Sequence, residues 1–213
     1  KSAYYSFVDN VDYRGFEFFS FRDFTSYALD DIRNNTLSFS HPRQFNDPMD
    51  TLLFHWNTHC LSNETEEEQR DIRFLQQKVY DHLKVRCFVR TSPLPRNENI
   101  EIQQLINKEQ KIEAVNPIMW AHYANYHKGF CVKYCFPDNF LRAENSQDLV
   151  CTRVGNVKYW PTMDMEGKDR LSIEDALFVK SNYWKYENEV RVVHYDPNSH
   201  SDYKLLELPN DSI

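Results

Sequence analysis

The spacing of apolar positions changes at residue 129, and the elements on either side of that change organise the chain. From 116 to 128 the large side chains recur at three- and four-residue steps. Trp120, Tyr123 and His127 share one helical face, flanked by Met119 and Tyr126. Asn116 followed by Pro117 reads as a helix start, and Lys128 followed by Gly129 as its stop. Beyond Gly129 the period becomes two. Phe130, Val132, Tyr134 and Phe136 alternate with Cys131, Lys133 and Cys135, which predicts a half-buried strand. A helix joined through Gly129 to a central strand is expected, with Trp120 and Tyr123 largely buried.

The same reading predicts strands over 16–21, 36–40, 85–90, 187–195 and 204–208. One or two more fall over 149–159, broken at Gly155, and 49–56 reads as extended. Helices are predicted over 23–33, capped by Asp23 with Tyr27, Ala28, Leu29 and Ile32 as its apolar side, and over 172–183. A third runs over 64–83, with a capping box from Thr65 to Glu68 and a stripe of Ile72, Leu75, Val79 and Leu83. The FNDP sequence at 45–48 is a tight turn. Residues 97–115 are polar and weakly helical, a lid or partner-facing insert. Strands scattered among helices, without regular βαβ alternation, predict one α+β domain over 1–213. Its central sheet is mixed or antiparallel, with flanking helices and helical insertions near 62–84 and 97–115.

Composition narrows the class. At 213 residues, 41% hydrophobic and 15% aromatic, the chain can fill the core of one large domain. A net charge of −7 argues against broad, non-specific nucleic-acid binding. Its four glycines cannot write a dinucleotide, phosphate-loop or nucleophile-elbow motif. Five cysteines without a CxxC suit free thiols in a reducing, cytoplasmic setting. No apolar run is long enough to span a membrane. His122 and His127 are five apart and diverge around a helix, so zinc fits poorly and no metal is expected.

Candidate chemistry gathers in three places. Period two would put Glu187 and Glu189, with Arg191, on one strand face after the aromatic run at 183–186. Such a pair is either a carboxylate ladder answered by Arg191 or a cleft rim that steadies a cationic transition state. Arg22 ends an aromatic strand, and Ser38 and Ser40 share a face of TLSFS. The Trp120–Tyr123–His127 face packs a core or faces a ligand.

Five segments together resemble an uncharacterised bacterial family, domain of unknown function 2971: FFSFR (18–22), LSFSHPRQFNDPMD (37–50), CF (87–88), MWAHYANYHKGF (119–130) and KSNYWKYENEVR (180–191). That family implies no activity. A partial resemblance to mono-ADP-ribosyltransferases, in the order aromatic strand with Arg, S-x-S strand, late E-x-E strand, does imply one. By it, NAD is the substrate and Arg22 holds its phosphates. Ser38 and Ser40 support the nicotinamide pocket, Glu189 is catalytic and Glu187 assists. Trp120, Tyr123 and His127 would line the same site, and the acceptor would be a protein or nucleic acid, in bacterial conflict or defence. Phe39 stands where that family usually has Thr. The competing classes are a nucleotide- or partner-binding sensor module and a metal-dependent nuclease using Asp47, Asp50 and the E-x-K at 109–111.

Overall fold

One strand joins both halves of the sheet in the computed structural model, which describes residues 17–47, 50, 65–90, 116–137, 140, 144–145, 150–160 and 177–213. This strand, β3 (Leu83–Arg90), pairs along its length with β9 (Glu189–Tyr195), from Leu83 opposite Tyr195 to Val89 opposite Glu189. On its other edge β3 meets β2 (Thr36–Ser40) where Val85 faces Ser40, and β1 (Phe18–Arg22) where Val89 faces Phe19. Two strands therefore share one edge, and on that edge Arg86, Cys87 and Phe88 have no strand partner among the described residues. The sheet extends from β1 to β4 (Phe130–Tyr134) and from β2 to β10 (Tyr203–Glu207). On the other side it extends from β9 to β6 (Val150–Asn156) and β5 (Glu144–Asn145), all antiparallel. Strands β7 (Lys158–Trp160) and β8 (Val179–Ser181) form a separate parallel pair. With helices α1 (Ser26–Arg33), α2 (Glu66–Asp81) and α3 (Pro117–Tyr123), the class is α+β.

Alternation sorts the side chains onto two faces. Phe18, Leu37, Phe39, Phe88, Tyr134, Val190 and Val192 build the main core on one face. The other face carries two smaller clusters. Leu83, Val85 and Val193 pack with Tyr80 and Phe178, whereas Phe19, Phe21 and Val89 pack with Met119 and Ala124. β3 contributes to both, and Cys87 lies between them.

The central helix is shorter than its sequence pattern. Asn116 caps α3 by accepting from the Ile118 N–H at 3.0 Å, but the helix ends at Tyr123. Asn125, Tyr126 and His127 then take left-handed φ values of 45°, 53° and 67°. That turn lets the Lys128 and Gly129 N–H groups both donate to the Ala124 carbonyl, at 2.9 and 2.8 Å. Gly129 is required for closeness rather than for positive φ. A Cβ there would lie 2.1 Å from the Arg22 carbonyl oxygen. Met119 is the buried residue of this two-turn helix. Trp120 and Tyr123 are only half-buried, Trp120 edge-on to Phe21 at 5.4 Å.

Other elements shift for local reasons. Thr25, not Asp23, caps α1, accepting from the Ala28 N–H, and Tyr27 and Ile32 are exposed. The Thr65–Glu68 box caps α2 as expected, but the buried residues are Gln76 and Tyr80 while Leu75 is exposed. Tyr80 turns this face inward to meet His41 edge-on at 4.9 Å. β3 starts at Leu83, two residues before its expected beginning. Within 177–183 a turn, β8 and a 3-10 turn (Asn182–Glu187) replace the expected helix. β6 runs through Gly155, where an added Cβ would meet the Phe178 ring at 2.8 Å, and the chain breaks at Val157 instead. The 97–115 insert, the 49–56 run apart from Asp50, and Pro48 of the FNDP turn lie outside the described residues.

Gly129→Ala should cost roughly 2–4 kcal/mol, because the obstructing atom is backbone on β1. Urea denaturation reads this directly. A loss below about 0.5 kcal/mol, the scale of a neutral surface change, would mean that β1 can move aside.

Candidate functional site

Glu187 and Glu189 meet by a route other than strand period. β9 begins at Glu189, Glu187 closes the 3-10 turn, and Asn188 between them is left-handed at φ 43°. Asn188 is fixed there by donating through Nδ2 to the Arg90 carbonyl at 3.0 Å, and the Glu189 N–H donates to Tyr159 Oη at 2.8 Å. This reversal brings both carboxylates to Lys180 of β8. Its Nζ lies 2.6 Å from Glu187 Oε2, 3.4 Å from Glu189 Oε2 and 3.6 Å from Asp50 Oδ2.

Arg191 closes the network from the same face of β9. Its Nε donates to Glu189 Oε1 at 2.7 Å and its Nη2 to Glu189 Oε2 at 3.2 Å. The fork grips Asp50, Nη1 to Oδ1 at 2.8 Å and Nη2 to Oδ2 at 2.6 Å, and Nη1 also reaches the Leu177 carbonyl at 2.8 Å. Every N–H of this guanidinium thus has an acceptor, the condition under which a buried ion pair is tolerated. All five charged side chains are almost wholly buried.

Three carboxylates against two cations leave the cluster short of positive charge. Burial raises the Asp50 carboxyl even against the grip of Arg191, and the shortage is shared with Glu187. Burial is the largest influence on it and, with the neighbouring charge of Glu189, pushes its carboxyl above the usual range, although Lys180 pulls the other way. Burial would raise Glu189 too, but Arg191 and Lys180 outweigh it and hold that carboxyl at about 2. Lys180 is raised despite burial because three carboxylates surround it, so it stays an ammonium. Tyr123 Oη donates to Glu187 Oε1 in a short contact and lies 3.5 Å from Asn46 Oδ1. Burial and the Glu187 charge push its phenol up, so it remains a donor. Lys180 also lies 4.7 Å from the Trp184 ring centre.

The cluster opens on a cleft of about 360 Å³, within the range of small-molecule sites. β3 forms its floor, between the two smaller core clusters, and Phe19, Phe21, Phe45 and Met119 supply apolar wall. Of the residues singled out in the sequence, Glu187, Glu189, Tyr123, Ser40, Asp50, His122 and Met119 line it. Trp120 packs behind it on Phe21, and His127 is exposed on the left-handed turn. Arg22 and Ser38 form a separate group with Asp31. Arg22 Nη1 pairs with Asp31 Oδ2 at 2.5 Å, Ser38 Oγ donates to that oxygen at 2.6 Å, and Arg22 Nη2 lies 3.5 Å from Ser38 Oγ.

Sequence reasoning did not single out Lys180, and read Asp50 only as a possible metal ligand. Both end segments of the family resemblance, and that position was the available signal. Asp50 has both oxygens engaged by Arg191, and the E-x-K at 109–111 lies outside the described residues.

An α+β protein with a buried, carboxylate-rich network at the foot of a small cleft is what fold and site define. A family model described as "Protein of unknown function (DUF2971)" matches residues 119–192. The chain resembles that family over this stretch, which carries Tyr123, Lys180, Glu187, Glu189 and Arg191. No curated protein and no solved structure matches. Among the described residues no helix is long and apolar enough to cross a membrane.

Removing Arg191 should be severe. Arg191→Met strands Asp50 and Glu189 as buried carboxylates and should cost about 3–5 kcal/mol, read by urea denaturation at pH 7. The pH dependence of Glu189 has a definite sign. Its folded pKa of about 2 lies below that of an unfolded glutamate, so its stabilisation is present above roughly pH 4 and lost as pH falls towards 2. The stability gap between wild type and Glu189→Gln should therefore close over that interval. A gap that stays constant with pH would mean Glu189 is not held ionised.

Proposed function

We propose that the cleft binds NAD and transfers its ADP-ribosyl group to a macromolecular acceptor, with Glu187 as the carboxylate nearest the reacting carbon. The observation that carries this reading is the three-to-two charge ratio at the cleft foot, a deficit shared by Asp50 and Glu187, of which Glu187 is the one Arg191 does not grip. A cationic group arriving there supplies the missing charge. The nicotinamide ring is such a group. When its bond to ribose breaks, the electron pair leaves with the ring and positive charge passes to the sugar, where a fixed carboxylate stabilises it. The acceptor then bonds to that carbon and gives up its proton.

Roles follow from the contacts. Glu189, gripped by Arg191 and Lys180, keeps the site's charges in place rather than facing the substrate. Tyr123 stays protonated and orients Glu187. Phe19, Phe21 and Phe45 offer planar contact to a ring. Support for a macromolecular acceptor comes from the partial transferase resemblance alone.

Glu187→Gln should weaken NAD binding, because it removes the charge that answers the ring, and at saturating NAD lower nicotinamide release about 10²- to 10³-fold, the effect of losing one transition-state stabiliser. Because the carboxylate form is the active one and its pKa is raised, wild-type release should climb with pH through a limb above the usual glutamate range. That limb should vanish in Glu187→Gln. Unchanged release in the variant would remove Glu187 from the reaction. NAD binding without any release would instead support a nucleotide-binding sensor.

A further inference from the structure

We propose that Arg86 is the anion-binding residue of the cleft and takes a phosphate group of the bound ligand; the choice of a nicotinamide nucleotide as that ligand rests on the reading above. Arg86 lines the cleft where β1 and β2 part along the edge of β3. It leaves β3 on the main-core side, opposite Val192 and beside Phe88, and is half-buried at the opening between β1 and β2. Its Nη2 donates to Ser20 Oγ at 2.7 Å, and its guanidinium carbon lies 5.6 Å from the Phe88 ring centre. Among the described residues Nε is buried without an acceptor and no carboxylate pairs with it.

The neighbours do not supply the missing charge. Asp31 is already engaged by Arg22 and Ser38, and Arg22 adds repulsion. The contrast with Arg191, whose every N–H is occupied, is direct. A buried guanidinium with spare donors is unfavourable unless something anionic completes it. Its planar fork pairs two oxygens of one phosphate, and the Ser20 hydroxyl beside it can add to the grip. The cleft then has an anionic foot at Glu187 and a cationic group, Arg86, reaching it from the main-core side at the opening between β1 and β2. That polarity fits a ligand with a cationic ring at one end and a phosphate at the other. Arg22, the arginine that the transferase resemblance would use for phosphates, is instead closed by Asp31.

The test compares nicotinamide mononucleotide with nicotinamide riboside, which lacks only the phosphate, by calorimetry on wild type and Arg86→Met. Wild type should bind the mononucleotide about 10- to 100-fold tighter, the scale of a charge-assisted pair. In Arg86→Met that preference should fall to about 1 (no preference) with riboside affinity unchanged. A preference that survives in Arg86→Met, or is absent in wild type, overturns the proposal. If neither nicotinamide compound binds, the NAD reading fails, and inorganic pyrophosphate decides for Arg86 alone. A rise in melting temperature of wild type but not of Arg86→Met supports it, and equal or absent shifts overturn it. Since Arg86 has no ion pair to lose, Arg86→Met should melt no lower than wild type. If it nevertheless fails to fold, Arg86→Lys replaces it, and should keep part of the preference because it keeps the charge and loses the fork.

Discussion

The grip of Arg191 on Asp50 and Glu189 is the contact on which the rest of this structure depends. It joins residues 141 apart in sequence and fixes the end of the FNDP segment against the middle of the sheet. A guanidinium in that position is tolerated only while all its donors are occupied, so the partners are held to one geometry. Glu189 inherits its low pKa from this arrangement, and Lys180 can then answer only part of the remaining negative charge. What reaches the cleft as an underpaired carboxylate at Glu187 is set by a packing requirement beneath it.

The sheet makes room for that carboxylate by failing to close. β1 and β2 both attach to one edge of β3, four residues apart at Val85 and Val89. The backbone edge between them faces an opening rather than a neighbouring strand. On the β9 edge the ladder is continuous, which gives the opening a rigid back wall. One strand thus provides both the stiffness a site needs and the gap in which it sits.

Much of the architecture was legible in the sequence, because the strands β1, β2, β3, β4, β9 and β10 alternate cleanly or carry dense aromatic runs. Helix ends were less legible. The periodic pattern of 116–128 continues past Tyr123, yet three left-handed residues interrupt it, and no local signal distinguishes them from a further helical turn. The site was half legible. Glu187 and Glu189 do meet, but through Asn188 rather than through strand alternation. Lys180 was hidden because its strand is three residues long, too short for any period to show. Arg22 sits apart from the cleft lining for a different reason. Its partner Asp31 sits on a helix whose burial depends on Thr25 starting it, a choice between two capping residues that lie two apart.

The continuous ladder between β3 and β9 also governs how the chain finds this shape. Val89 faces Glu189, 100 positions further along the chain, and Phe19, 70 positions before it. Contacts so distant along the chain demand that large loops be closed before any pairing is gained, which slows folding. During that interval the apolar side chains of β3 and its bare edge are open to other chains. A slow-folding intermediate with an unpaired central strand is prone to aggregate, so yield from refolding should depend strongly on protein concentration.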